Sequence, residues 1–163
     1  MAATSVPTGT ILERLSETPR RIAALTAGMS AAQAQRSPSP DEWCVNDVLA
    51  HLRACADVWG GHIEAILAED EPARQGVNPR TWIKRTNYPD QPFASSLRSF
   101  TRQRAKLLAL LEPLPESDWS RSATVMAWNI PNRRTMRSFA EHLARHERTH
   151  LKQIEHIVAA VTR

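Results

Sequence analysis

Four stretches of this chain return an apolar side chain every three or four residues, and no stretch alternates strongly between apolar and polar. That periodicity belongs to helices with one buried face, and a chain offering four of them packs them against one another. The first stretch covers 10–25 through Ile11, Leu12, Leu15, Ile22 and Leu25, with Pro19 expected to kink or divide it. The second opens near Cys44 or Val45 and reaches about Ala68 through Val48, Leu52, Trp59, Ile63 and Ile66. The third covers 93–111 through Leu97, Phe100, Ala105, Leu108 and Leu111, and stops before Pro113 and Pro115. The last covers about 135–161 through Met136, Phe139, Leu143, Ile154, Ile157 and Val161.

Between these segments, Gly28 and Ser37-Pro38-Ser39-Pro40 mark a loop. Residues 69–91, polar and broken by Pro72, Gly76, Pro79 and Pro89, read as a long connection with one helical turn near Trp82. Residues 116–134 are irregular and suit an extended crossing or a short hairpin. The expectation is an all-α four-helix bundle, one domain over 1–163, with long connections between helices two and three and between three and four. A chain of 163 residues buries roughly two-thirds of its unfolded surface, enough for a real core.

No run of 18 apolar residues is present, and Met1-Ala2-Ala3-Thr4-Ser5 lacks the basic-then-apolar order of a secretory signal, so a soluble cytoplasmic protein is expected. Cys44 and Cys55 are 11 residues apart on one helix, about 16 Å along the axis. A disulfide needs Cα atoms within about 7 Å, so both should remain thiols. The net charge of +4 comes largely from dispersed arginines, concentrated only at Arg20-Arg21 and at Arg133-Arg134 with Arg137. A solvated surface explains them better than a nucleic-acid site.

Chemistry concentrates in the last helix, where His146-Glu147-Arg148-Thr149-His150 sets two imidazoles one turn apart within the apolar arc. A neutral imidazole removed from water needs partners for both ring nitrogens, and two side by side suggest a metal ion. His51, at the border of the second helix's apolar arc, is the natural third ligand, since catalytic zinc sites pair three protein ligands with an open position. Cys55, one turn after His51, is a soft-ligand alternative or a packed small residue. His142 lies at the edge of the arc, His156 points to the other side, and both read as surface residues. His62, about 16 Å from His51 along the helix, cannot share its metal unless the helix breaks at Gly60-Gly61. Asp47 is either an acceptor orienting the His51 ring or a plain first-turn carboxylate. Glu147 either acts as a catalytic group, orienting water or protonating a leaving group, or pairs helices. The HExxH spacing matches the zincin pattern, but Gln153 replaces the glycine of its longer form and continues the helix, swinging His156 away. Trp43, Trp59, Trp82 and Trp128 are candidates to line a pocket.

The stretch Trp43-Cys44-Val45-Asn46-Asp47-Val48-Leu49-Ala50-His51-Leu52, with Phe139 to Ile154 around the paired histidines, resembles the DinB-like (YfiT-like) superfamily of four-helix-bundle proteins. The resemblance implies a divalent metal, zinc or nickel, on His51, His146 and His150. It also implies a low-molecular-weight thiol such as bacillithiol or mycothiol, activated for transfer to an electrophile or for isomerisation, and a homodimer. Cys44 stands where the helix often begins with serine or threonine. The alternatives are a metal-binding structural module, a HExxH-type metallohydrolase and a basic nucleic-acid-binding protein.

Overall fold

The computed structural model describes residues 5–163; the N-terminal reading of residues 1–4 lies outside them. The four long helices form where their apolar spacing places them: α1 Thr8–Leu25, α3 Val45–Ala68, α5 Phe93–Leu111 and α6 Met136–Val161. Between α1 and α3 lies one turn of helix, α2 Ala31–Ala34. Ser30 Oγ accepts from the Gln33 N–H while Gln33 Oε1 accepts from the Ser30 N–H, a reciprocal cap that ends the preceding loop. The helix α6 starts at Thr135, whose hydroxyl accepts from the Ser138 N–H. The helix α3 starts at Cys44, whose N–H and Sγ–H both donate to Asp47 Oδ2.

The core falls into two clusters, one toward each end of the bundle. Toward one end Ile11, Leu15, Ile63, Leu111, Trp119, Phe139 and Leu143 pack together. Toward the other, Ile22, Val48, Leu52, Phe100, Ile154 and Ile157 do the same. Each such side chain, fully buried, contributes about 1.5–3 kcal/mol. The helix α3 packs on α6, and α1 and α5 complete the bundle.

Three expectations change. First, the chain is not all-α. A small sheet sits among the connections, with β1 Ala73–Gln75 parallel to β2 Ser122–Ala127 and β2 antiparallel to β3 Ile130–Thr135. The strands are too short, and β3 too exposed, for an alternating pattern to stand out. The hairpin alternative for 116–134 is the one adopted. Ala127 pairs with Ile130, and the two residues between them, Trp128 and Asn129, have φ of 52° and 62°, as a tight primed turn requires. Second, α1 runs unbroken through Pro19. Proline removes the N–H that would reach the Leu15 carbonyl. That carbonyl accepts instead from Arg104 Nη1 at 2.8 Å. Third, Ala105 is exposed, and the buried row of α5 is Phe100, Arg104, Leu107 and Leu111.

The connection between α3 and α5 also holds α4 Pro79–Trp82 and two 3-10 turns, and it lies across α3 as a strap. Asp57 of α3 accepts from Trp82 Nε1 at 3.0 Å and from the Tyr88 hydroxyl at 2.7 Å. Asn46 Nδ2 donates to the Pro89 carbonyl, and Arg53, whose guanidinium lies 3.8 Å from the Tyr88 ring centre, donates to Gln91. Those bonds fix a segment that has little apolar surface of its own.

Candidate metal centre

His51 is the seventh residue of α3, and His146 and His150 lie one turn apart on α6; packing α3 against α6 brings all three rings together. His146 Nε2 lies 3.3 Å from His51 Nε2 and 3.1 Å from His150 Nε2. The ring centres of His51 and His150 are 4.9 Å apart. Tetrahedral nitrogen ligands at about 2.0–2.1 Å from a zinc ion stand roughly 3.3 Å from each other. His146 Nε2 thus stands at ligand-to-ligand spacing from the Nε2 atoms of both His51 and His150.

Tautomers support the same arrangement. His150 Nδ1 is 2.7 Å from Gln153 Oε1, an acceptor, so Nδ1 bears the hydrogen and Nε2 directs a lone pair toward the other two rings. Metal-ligating histidines habitually use the second nitrogen in this way. Gln153, read from the sequence only as continuing the helix, is therefore a positioning residue; its signal was the three-residue spacing from His150. His146 Nδ1 is buried without a hydrogen-bond partner.

All three histidines are held neutral. Burial first, then the neighbouring His150 and Arg80 charges, brings His51 down to about 4. Burial and the three nearby histidines bring His146 down to about 3. His150 is lowered by burial, against the opposing pull of its bond to Gln153. Neutral imidazoles are the form that binds a metal.

Cys55 Sγ lies 3.5 Å from His51 Nε2, and His51, Cys55 and His146 form a second set of donors within 4.8 Å of one another. Burial pushes the Cys55 thiol up to about 12, with the Glu147 charge adding to the shift, so a cation would have to displace its proton. Cys44, also a free buried thiol, is raised to about 11 by burial and by its bond to Asp47.

Two proposed roles change on this geometry. Glu147 is fully buried, and both its carboxylate oxygens accept from Arg104, itself 2% exposed; the pair joins α5 to α6, and Glu147 does not line the cavity beside His51. The helix-pairing alternative applies, and the HExxH spacing does not supply a general base here. Asp47 bonds Cys44 and not His51, so it is a first-turn carboxylate closing the start of α3.

Of the other histidines, only His142 neighbours the three, its ring stacked on that of His146 with centres 6.1 Å apart. His142 is half-buried with its ring edge-on to Trp59. His156 is exposed and meets Glu42 at 3.0 Å. His62 is buried and stacks on Phe139. Of the tryptophans, Trp59 packs edge-on to His146, Trp43 stacks parallel to His150, Trp82 anchors the strap and Trp128 is 97% exposed at the hairpin tip, away from any pocket. The arginine clusters are used internally: Arg21 pairs with Glu155, Arg133 with Glu71 and Arg137 with Glu116.

Beside His51 a cavity of about 360 Å³ opens to solvent, lined by Trp43, Asp47, Arg80, Ile83 and Pro89 as well. The long connection was marked from sequence as a segment that could shape a site, but Arg80 itself was not, because only the folded connection brings residue 80 to the histidines.

The fold and this site define a helical bundle with a histidine-rich candidate metal centre between two of its helices. The sequence model of the DinB superfamily matches residues 14–154, and the chain belongs to that superfamily. YfiT from Bacillus subtilis, described as a probable metal-dependent hydrolase with an unusual four-helix bundle topology, superposes with a TM-score of 0.79. The match covers 96% of this chain and 90% of that one at 17% identity. No curated protein matches the chain significantly. No helix among the described residues is long and apolar enough to cross a membrane.

Proposed function

We propose that this protein is a metal-dependent enzyme in which His51, His146 and His150 hold a divalent ion, zinc or nickel, and a small thiol is activated for transfer to an electrophile or for isomerisation. The observation that carries the reading is the convergence of three neutral Nε2 atoms beside an open cavity. Three neutral ligands leave the ion its full charge, and when bound it would make a thiol or water in the remaining position a stronger acid. The protein's own residues supply position. Gln153 and the packing of Trp43 and Trp59 fix the rings, and the strap bounds the space a substrate would occupy.

Hydrolysis is the second reading, favoured by the description of YfiT; water would then take the thiol's place, with no help from Glu147. A purely structural ion would need a closed shell, which the adjacent cavity disfavours.

Elemental analysis of the purified protein beside His51→Ala and His150→Ala, then a conjugation screen of thiols with a generic electrophile, tests this. Wild type should bind about one equivalent of metal and each variant far less. Protein that stays metal-free after incubation with zinc or nickel refutes the reading. Metal without thiol turnover leaves hydrolysis or simple binding.

A further inference from the structure

The strap places one cation at the mouth of the histidine cavity. Arg80 is exposed, and among the described residues its guanidinium has neither an ion pair nor a hydrogen bond; only its backbone N–H is used, by Asn78. It lies over the Trp43 ring, 5.5 Å from the centre, on the wall of the same cavity that His51 lines. Its position is not loose. Two residues later Trp82 is tied to Asp57, and the strap is held again at Tyr88 and Pro89.

An arginine displayed over an aromatic face, with its donors free, is suited to grip a planar oxyanion in two-pronged fashion. The rest of the wall decides which oxyanion. Trp43, Ile83 and Pro89 are apolar, and the other charge is the Asp47 carboxylate. A dianionic phosphate would meet one cation and one repelling anion. A monoanionic carboxylate on a short apolar chain matches the single cation and the greasy walls.

Resting on the reading of the histidines as the reactive centre, we propose that Arg80 is the specificity-determining residue of this cavity, and that it binds the carboxylate of a small carboxylate-bearing ligand whose other end faces His51.

The test measures binding by isothermal titration on zinc-treated and metal-free protein. The probes are 3-mercaptopropionate, the neutral 2-mercaptoethanol, and propionate, which has no sulfur. Wild type should prefer 3-mercaptopropionate to 2-mercaptoethanol by roughly 10- to 100-fold, the worth of one charge-assisted contact. Arg80→Ala should abolish that preference; Arg80→Lys should keep part of it. An undiminished preference in Arg80→Ala overturns the proposal. If the protein takes up no zinc, the metal-centre reading fails by itself. Propionate binding to the metal-free protein then decides this proposal, supporting it if Arg80→Ala removes the binding and overturning it if wild type does not bind or the variant binds equally.

Discussion

Replacing Glu147 by glutamine should destabilise the fold severely without removing a metal ligand. Glu147 is 0% exposed and Arg104 2%, and the guanidinium makes two contacts to the carboxylate while a third donor holds the Leu15 carbonyl that Pro19 leaves free. Glutamine keeps the shape and removes the charge, so a guanidinium remains buried with no anion. Two charge-assisted hydrogen bonds at about 1.5–3 kcal/mol each give roughly 3–6 kcal/mol. Loss of one partner of a buried ion pair costs about 3–5 kcal/mol, in agreement. For a chain of this length each kcal/mol lowers Tm by about 2–4 °C, so the midpoint should fall by roughly 6–20 °C. Thermal unfolding followed by circular dichroism measures the midpoint, and urea unfolding the free energy. The double variant Arg104→Met with Glu147→Leu removes both charges and should recover most of the loss. Zinc stoichiometry of Glu147→Gln, measured below its midpoint, should equal that of wild type. A destabilisation under about 1 kcal/mol, or loss of metal from a folded variant, would refute the view that this residue serves α5–α6 pairing alone.

Gln153→Ala, which removes the acceptor for His150 Nδ1, should weaken zinc affinity about 10- to 100-fold with little change in stability, read by competition with a chelator. Chelator-treated protein should lose stability as pH falls. The folded His51 sits near 4 and the unfolded one at 6.5, so between those values the unfolded chain binds the extra proton and gains. At about 1.4 kcal/mol per unit the His51 contribution is on the order of 3 kcal/mol, complete by about pH 4. His51→Ala should therefore show a shallower decline of its urea midpoint from pH 7 to 4, and equal slopes would contradict the assignment. Asn129→Gly, at φ 62° in the hairpin turn, should stabilise by up to about 1 kcal/mol, seen as a small rise in Tm.

The helices were legible because their signal is local. Periodic apolar residues, bounded by Pro113 at one end and by the Thr135 cap at another, place α3, α5 and α6 to within a residue or so. The pairing of His146 with His150 is equally local, because a helix puts residues four apart on one face. That His51 joins them was suggested by the border of an apolar arc and by the family resemblance, and the packing of α3 on α6 brings the rings together. Nothing local marks Arg104 as buried, because an arginine in an amphipathic helix is ordinarily a surface residue. Its place depends on the Leu15 carbonyl and Glu147, which lie on two other helices. The pairing of β1 with β2 is hidden for the same reason, since it joins segments some fifty residues apart, whereas the β2–β3 hairpin is local and was among the sequence alternatives. Periodicity along the chain thus determined the four long helices and most of their apolar faces. Tertiary packing alone decided which charges are buried, which carboxylates are occupied and which cation overlooks the site, because those depend on atoms distant in sequence meeting within a few ångströms.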